Sequence, residues 1–327
     1  PYDFCVLPDG RLIVAFAHST HRGAFALDPA TGTRQPVEPP ITEPDSPYLT
    51  CIPEAGLAIL HSWRISDAVD SAVPLARSGR TNLVHVIHTD SMTRQTRVLD
   101  RFRWLLSSAY VPETGTIVWV DRGHPKTLVA MPLADFLRDD WTLARELETG
   151  QLHGLETVLP APGGRTVYAK GEWSHAVAEI DLNTGAFRHG SADVWPFGVH
   201  EAFAVYLANW GIFLSRARER LYVTRGARQS LVELDPVTLE PTRSAFVGGV
   251  PRGGASLDDL GLIAVGGYIG GALSLLDAET FETRVRVRTC TRVRKITYDA
   301  SRRTLWWNSS CGLFRLVFPE GWVAPDA

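Results

Sequence analysis

Four stretches of this chain repeat one pattern: FALDPATG (Phe25–Gly32), AEIDLNTG (Ala178–Gly185), VELDPVT (Val232–Thr238) and SLLDAET (Ser274–Thr280). VIHTDSMT (Val86–Thr93) is a weaker copy. In each, an apolar run ends in Asp and is followed by a turn with Thr or Gly. An Asp side chain caps its own backbone turn and Gly supplies a positive φ, so the pattern is hairpin-turn chemistry. Working outward, a second turn alternates strictly with the first: Pro8-Asp9-Gly10, Pro53 to Gly56, Pro112 to Gly115, Pro162-Gly163-Gly164, Ser215 to Arg220, Asp258 to Gly261 and Asp299 to Arg303. These seven turns recur roughly every 48 residues, within the range of propeller blades.

The runs between turns are short and rich in β-branched or aromatic residues, as in RLIVAFA (Arg11–Ala17), TIVWV (Thr116–Val120), TVYAK (Thr166–Lys170), RLYVT (Arg220–Thr224) and TLWWN (Thr304–Asn308). Each unit therefore reads strand, turn, strand, loop, strand, Asp-turn, strand. That is one four-stranded antiparallel blade, and the sequence predicts an all-β, seven-bladed β-propeller. A single domain over 1–327 is expected, with blades near 1–40, 46–100, 104–150, 152–190, 204–249, 251–289 and 291–322. Ring closure removes the sheet edges that a linear array would expose.

PDGRLIVAF followed by ALDPATGT, repeated with drift, resembles the YVTN and quinoprotein-amine-dehydrogenase-like seven-bladed propellers. The resemblance covers nearly the whole chain and implies the fold. That group includes enzyme subunits, lyases, lactonase-like hydrolases and interaction scaffolds, so hydrolase or lyase activity is within its range.

Composition sets limits. The 327 residues are 45% hydrophobic and 21% charged, which excludes a disordered chain. No window of eighteen apolar residues occurs, so no membrane-spanning helix is expected. A net charge of −3 gives no general attraction to nucleic acid or anionic lipid. Three lysines stand against thirty arginines, which we read as codon usage. The opening at Pro1, without a signal-like apolar stretch, says nothing about compartment.

Counting register assigns insertions to faces of a propeller. The segments Trp63–Arg80 and Gly190–Phe203 are surplus loops on the face carrying the channel mouth, and long loops on a rigid scaffold are usually functional. Pro132–Glu148 shows helical spacing of Leu133, Phe136, Leu137 and Trp141 and predicts a short amphipathic helix on the opposite face.

The same count brings His18, His61, His124 and His153 to the mouth from four blades, where neutral imidazoles can hold a divalent transition metal. It also gathers Lys170, Arg225, Arg252, Arg292 and Arg294, whose charges suit a small anionic ligand. Trp63 and Tyr268, with Trp104 and Trp210, supply an aromatic wall. Glu156 and Asp3 are the candidate acid or base groups. Walker, G-x-S-x-G and HExxH motifs are absent. The glycine-rich Gly253-Gly254 and Gly266–Gly271 read as tight loops.

Cys5 and Cys51 read as small buried thiols in the first strands of neighbouring blades. Cys290 and Cys311 fall on one rim of the last blade, and a disulfide between them is expected in an oxidising compartment. That favours export over a cytoplasmic home. Two functions fit: a small-molecule-binding, even catalytic, propeller with an anion at the mouth, or a non-catalytic scaffold binding a protein partner through the same face.

Overall fold

The computed structural model describes residues 2–18, 21–41, 48–65, 80–102, 104–121, 128–147, 149, 155–171, 176–191 and 211–323. Their strands form seven successive antiparallel meanders, six of four strands and the last of three. This is the seven-bladed β-propeller fold. The sheets span Asp3–Pro36, Tyr48–Val98, Leu105–Leu147, Leu155–Ser191, Ile212–Phe246, Pro251–Arg288 and Ile296–Val317. Among the described residues the last blade shows three strands where the others show four. The chain divides into two compact units. Residues 1–149 with 163–165 and 182–185 hold the first three sheets, and the remainder holds the strands of the last four.

The Asp-turns form as the sequence predicts. Asp28 accepts from the N–H of Ala30 at 2.8 Å, Asp235 from Val237 and Thr238 at 2.7 and 2.9 Å, and Asp277 from Glu279 and Thr280 at 2.8 and 2.9 Å. These backbone bonds, from Ala30, Thr238 and Thr280 above all, hold the three carboxyls below the usual range. The residue four past the Asp has positive φ. Gly32 and Gly185 fill that place in two turns, but Leu239 (φ 60°) and Phe281 (φ 65°) fill it in two others. A left-handed L-residue costs about 1–2 kcal/mol, while burying a Leu or Phe side chain returns roughly 1.5–3 kcal/mol. Leu239 is fully buried and Phe281 nearly so, so burial wins.

Within each unit, side chains of the fourth strand latch onto the next sheet's third-to-fourth turn. Arg97 donates to the Phe136 and Leu137 carbonyls at 2.6 Å each, and Arg145 to Asn183 O at 2.6 Å. Arg188 donates to Pro236 O at 3.1 Å, and Arg243 to Ala278 O at 2.7 Å and to Glu279 O. These arginines have a structural use beyond codon preference.

The amphipathic helix is shorter than expected. It covers Leu133–Arg138 and stops at Asp139, which adopts the left-handed conformation. Arg145–Leu147 is already the fourth strand of its sheet. Leu133 and Phe136 are buried, and Trp141 packs partly buried against the same cluster.

The cysteines pair in both places. Cys290 and Cys311 are bonded, with Cα atoms 5.9 Å apart. Cys5 and Cys51, read as free thiols, are also bonded, because their strands run side by side with Cα atoms 6.2 Å apart. Both separations suit a bridge. In the chain-entropy picture, closing loops of this length contributes about 3–4 kcal/mol each.

Candidate functional site

The sixth and seventh sheets bring part of the basic set together. Arg252 is the second residue of the strand Pro251–Leu257, at a register shift between Pro251 and Gly253. Tyr268 follows the strand Leu262–Gly267 and is held by its main chain: its N–H donates to Val250 O at 2.9 Å, and its carbonyl accepts from Arg292 N at 2.5 Å. Arg294 precedes the strand Ile296–Asp299, where buried Asn308 accepts from the N–H groups of Arg294 and Lys295 at 3.2 and 2.8 Å.

The result is two guanidiniums on one phenol ring. The Arg252 Cζ lies 4.9 Å from the Tyr268 centroid and that of Arg294 lies 5.6 Å away. Arg294 Nη2 also approaches the Tyr268 hydroxyl at 3.4 Å. Arg252 is buried, with 9% of its surface exposed. The ring's quadrupole attracts each cation by about 0.5–2 kcal/mol. Two like charges no more than about 10 Å apart repel by at least about 1.7 kcal/mol at an effective dielectric constant of 20. An anion received between them would turn that repulsion into attraction, in the two-pronged geometry that arginine offers carboxylate or phosphate.

Glycine makes the close approach feasible. A Cβ on Gly253 would come within 2.6 Å of Arg294 O, and one on Gly254 within 2.1 Å of the Phe213 ring. The Gly253-Gly254 pair, read as a loop, therefore lies inside a strand where neighbouring sheets press together. Gly266 and Gly267 likewise end a strand rather than open a loop.

Other members of the set lie elsewhere. Arg225 lines a cavity of about 460 Å³ on the fifth sheet with Arg228, Val232, Thr242 and Ser244. Lys170 is buried, 1% exposed, in the fourth sheet's second strand Thr166–Gly171. Arg292 contributes its main chain to Tyr268, and its side chain is exposed. Asp3 braces two strands: its carboxylate accepts from Phe4 N at 2.7 Å and Leu49 N at 2.8 Å.

Of the proposed metal ligands, His61 alone has a described side chain. It is fully buried, with Nε2 2.8 Å from Ser108 Oγ and its ring 5.5 Å from that of Trp119. Burial, with a lesser contribution from His85, pushes its pKa down to about 3. His124 and His153 lie outside the described residues, as do the side chains of His18, Trp63 and Glu156. Among the described residues no three His, Cys, Asp or Glu side chains assemble a metal set. Of the two surplus loops, 66–79 and 192–203 also lie outside them. The first loop emerges from two nine-residue strands, Leu57–Ile65 and Arg80–His88, so Trp63 belongs to a strand.

Several buried polar residues went unrecognised in the sequence. Asp121 accepts from Trp104 N at 2.9 Å and Thr224 from Gly211 N at 2.9 Å, in the same manner as Asn308. The signal was present: the apolar runs TIVWVD, RLYVT and TLWWN each close on a polar residue able to brace the start of its own sheet.

No protein-family model matches the chain, and no curated protein matches it. Among solved structures, the chain is similar to Kuenenia stuttgartiensis hydrazine synthase at a TM-score of 0.68 and 13% identity, over 97% of this chain and 95% of that one. At that identity the likeness is one of fold.

Proposed function

We propose that this propeller binds a small anionic molecule, a carboxylate or phosphate, at Arg252, Tyr268 and Arg294. The observation that supports the reading is the pair of guanidiniums within 6 Å of one tyrosine ring, one of them buried. The test is calorimetric titration with inorganic phosphate, sulfate, malonate and benzoate. Saturable binding of at least one is expected, weakened tenfold or more in Arg252→Ala and Arg294→Ala, a loss of about 1.4 kcal/mol or more. Equal binding by wild type and both variants would sink the assignment.

Two disulfides support an exported protein working in an oxidising compartment. Denatured, unreduced protein should then show no free thiol, and recovery of four thiols from protein isolated in its native compartment would contradict this.

A further inference from the structure

Antiparallel meanders sort their connections by end. In sheets five to seven the second-to-third turns and the links between sheets fall at one end of the strands, and the first-to-second and third-to-fourth turns at the other. The two ends differ in charge. Segments 225–230, 246–252, 267–272, 288–296 and 309–312 at the first end hold six arginines, Lys295 and no carboxylate. Segments 215–220, 234–241, 257–262, 277–283 and 299–304 at the second hold nine acidic residues and five arginines. The net charge of −3 conceals this separation. The strand Thr283–Arg288 crosses from one end to the other. At the acidic end its Arg284 pairs with Asp277 at 3.1 Å. At the basic end Arg288 is exposed and, like exposed Arg292 beyond it, has no ion pair among the described residues.

Large apolar side chains also come to the surface at the basic end. Phe246 is 73% exposed and Ile269 is 53% exposed. Main-chain bonds tie their two turns together, since the Ile269 N–H donates to Gly249 O at 3.0 Å, three residues beyond Phe246. A soluble polyanion would engage the arginines and leave both apolar side chains in water. An anionic bilayer uses both features: its headgroups attract cations and its acyl boundary takes apolar side chains.

We propose that this end of sheets five to seven docks on an anionic lipid surface, with Phe246 and Ile269 entering the interface and Arg288 and Arg292 meeting lipid phosphates. The contact is peripheral and needs no spanning segment. The test is co-sedimentation of the full chain with vesicles of equal parts phosphatidylglycerol and phosphatidylcholine, against pure phosphatidylcholine. Binding to the anionic vesicles alone is expected. Raising salt from about 0.1 M to 1 M shortens the screening length from about 10 to 3 Å and should weaken that binding at least tenfold. Replacing both arginines, Arg288→Ser with Arg292→Ser, should weaken it about tenfold or more, while Arg288→Lys with Arg292→Lys should retain it. Phe246→Ser with Ile269→Ser should cost a similar factor. Hydrogen exchange on unaltered protein needs no variant: anionic vesicles should slow exchange in 268–271 and 289–292 and leave 258–261 unchanged. None of the four altered side chains belongs to the Arg252, Tyr268 and Arg294 cluster, so vesicle docking and small-anion binding can fail independently. Four results would overturn the proposal: equal binding to both vesicle types, binding to neither, slowed exchange at 258–261 instead, or binding of a soluble polyuronate with anionic vesicles left untouched.

Discussion

Two arginines of the later unit stack on aromatic rings in different surroundings. Arg243 has its Cζ 4.0 Å from the Phe281 centroid. Its nitrogens are clamped by Glu233 at 2.6 and 3.1 Å and by the carbonyls of Ala278 and Glu279. Arg252 stands 4.9 Å from the Tyr268 centroid and shares that ring with a second cation, Arg294. The first guanidinium neutralises a carboxylate that is 3% exposed and joins two sheets. The second lies within 6 Å of a ring that a second guanidinium also approaches. Cation–π stacking alone therefore does not assign an arginine its role.

The largest expected effect falls on the clamped arginine. Arg243→Ala leaves Glu233 buried with Arg220 as its nearest cation at 3.6 Å. Breaking a buried pair this way should destabilise the protein by about 3 kcal/mol, read by chemical denaturation. A loss below about 1 kcal/mol would erase the contrast with Arg252.

Next comes acid sensitivity in the earlier unit, where a polar group is buried neutral. The folded pKa of His61 is near 3, against an ordinary value of 6.5. A depressed folded pKa gives stability that is present above the unfolded pKa and lost as pH falls below it. Between pH 7 and pH 5 the loss should be about 2 kcal/mol. His61→Gln should flatten that slope, and an unchanged slope would contradict the assignment to His61.

A smaller change is expected at the left-handed leucine. Leu239→Gly relieves backbone strain but exposes a buried cluster, for a net loss of about 1 kcal/mol. Stabilisation in thermal unfolding would show that strain had outweighed burial. The smallest stability effect belongs to Arg252→Ala, at about 1 kcal/mol or less from the lost stacking, although its effect on anion binding is the one proposed above.

The alternating turns made the seven blades legible, because turn chemistry is local: Asp28, Asp235 and Asp277 cap residues two and three places on. The proximity of Arg252, Tyr268 and Arg294 was legible too, since the count brings second-strand ends and first-strand starts to the same mouth. Direction of side chains was not. Arg225, at a second-strand end, and Arg252, at a first-strand start, are both counted to the mouth, yet the first lines a groove on the fifth sheet and the second stacks on Tyr268. The Cys5–Cys51 bridge was missed because pairing across sheets depends on how closely two first strands approach, a distance no spacing encodes. The bracing roles of Asp121, Thr224 and Asn308 depend on a partner main chain 13 to 17 residues away. The Arg latches had a readable mark, an arginine seven or eight residues past the turn Asp (Asp90 and Arg97, Asp181 and Arg188, Asp235 and Arg243), hidden among thirty arginines.

The most direct test of the anion site is to follow the side-chain Nε–H resonances of the arginines by nuclear magnetic resonance during titration with the tightest-binding anion. The account predicts that the Arg252 and Arg294 signals move together, saturably and with one dissociation constant, while that of Arg243 stays fixed. Saturable binding that leaves both Arg252 and Arg294 unmoved would contradict it.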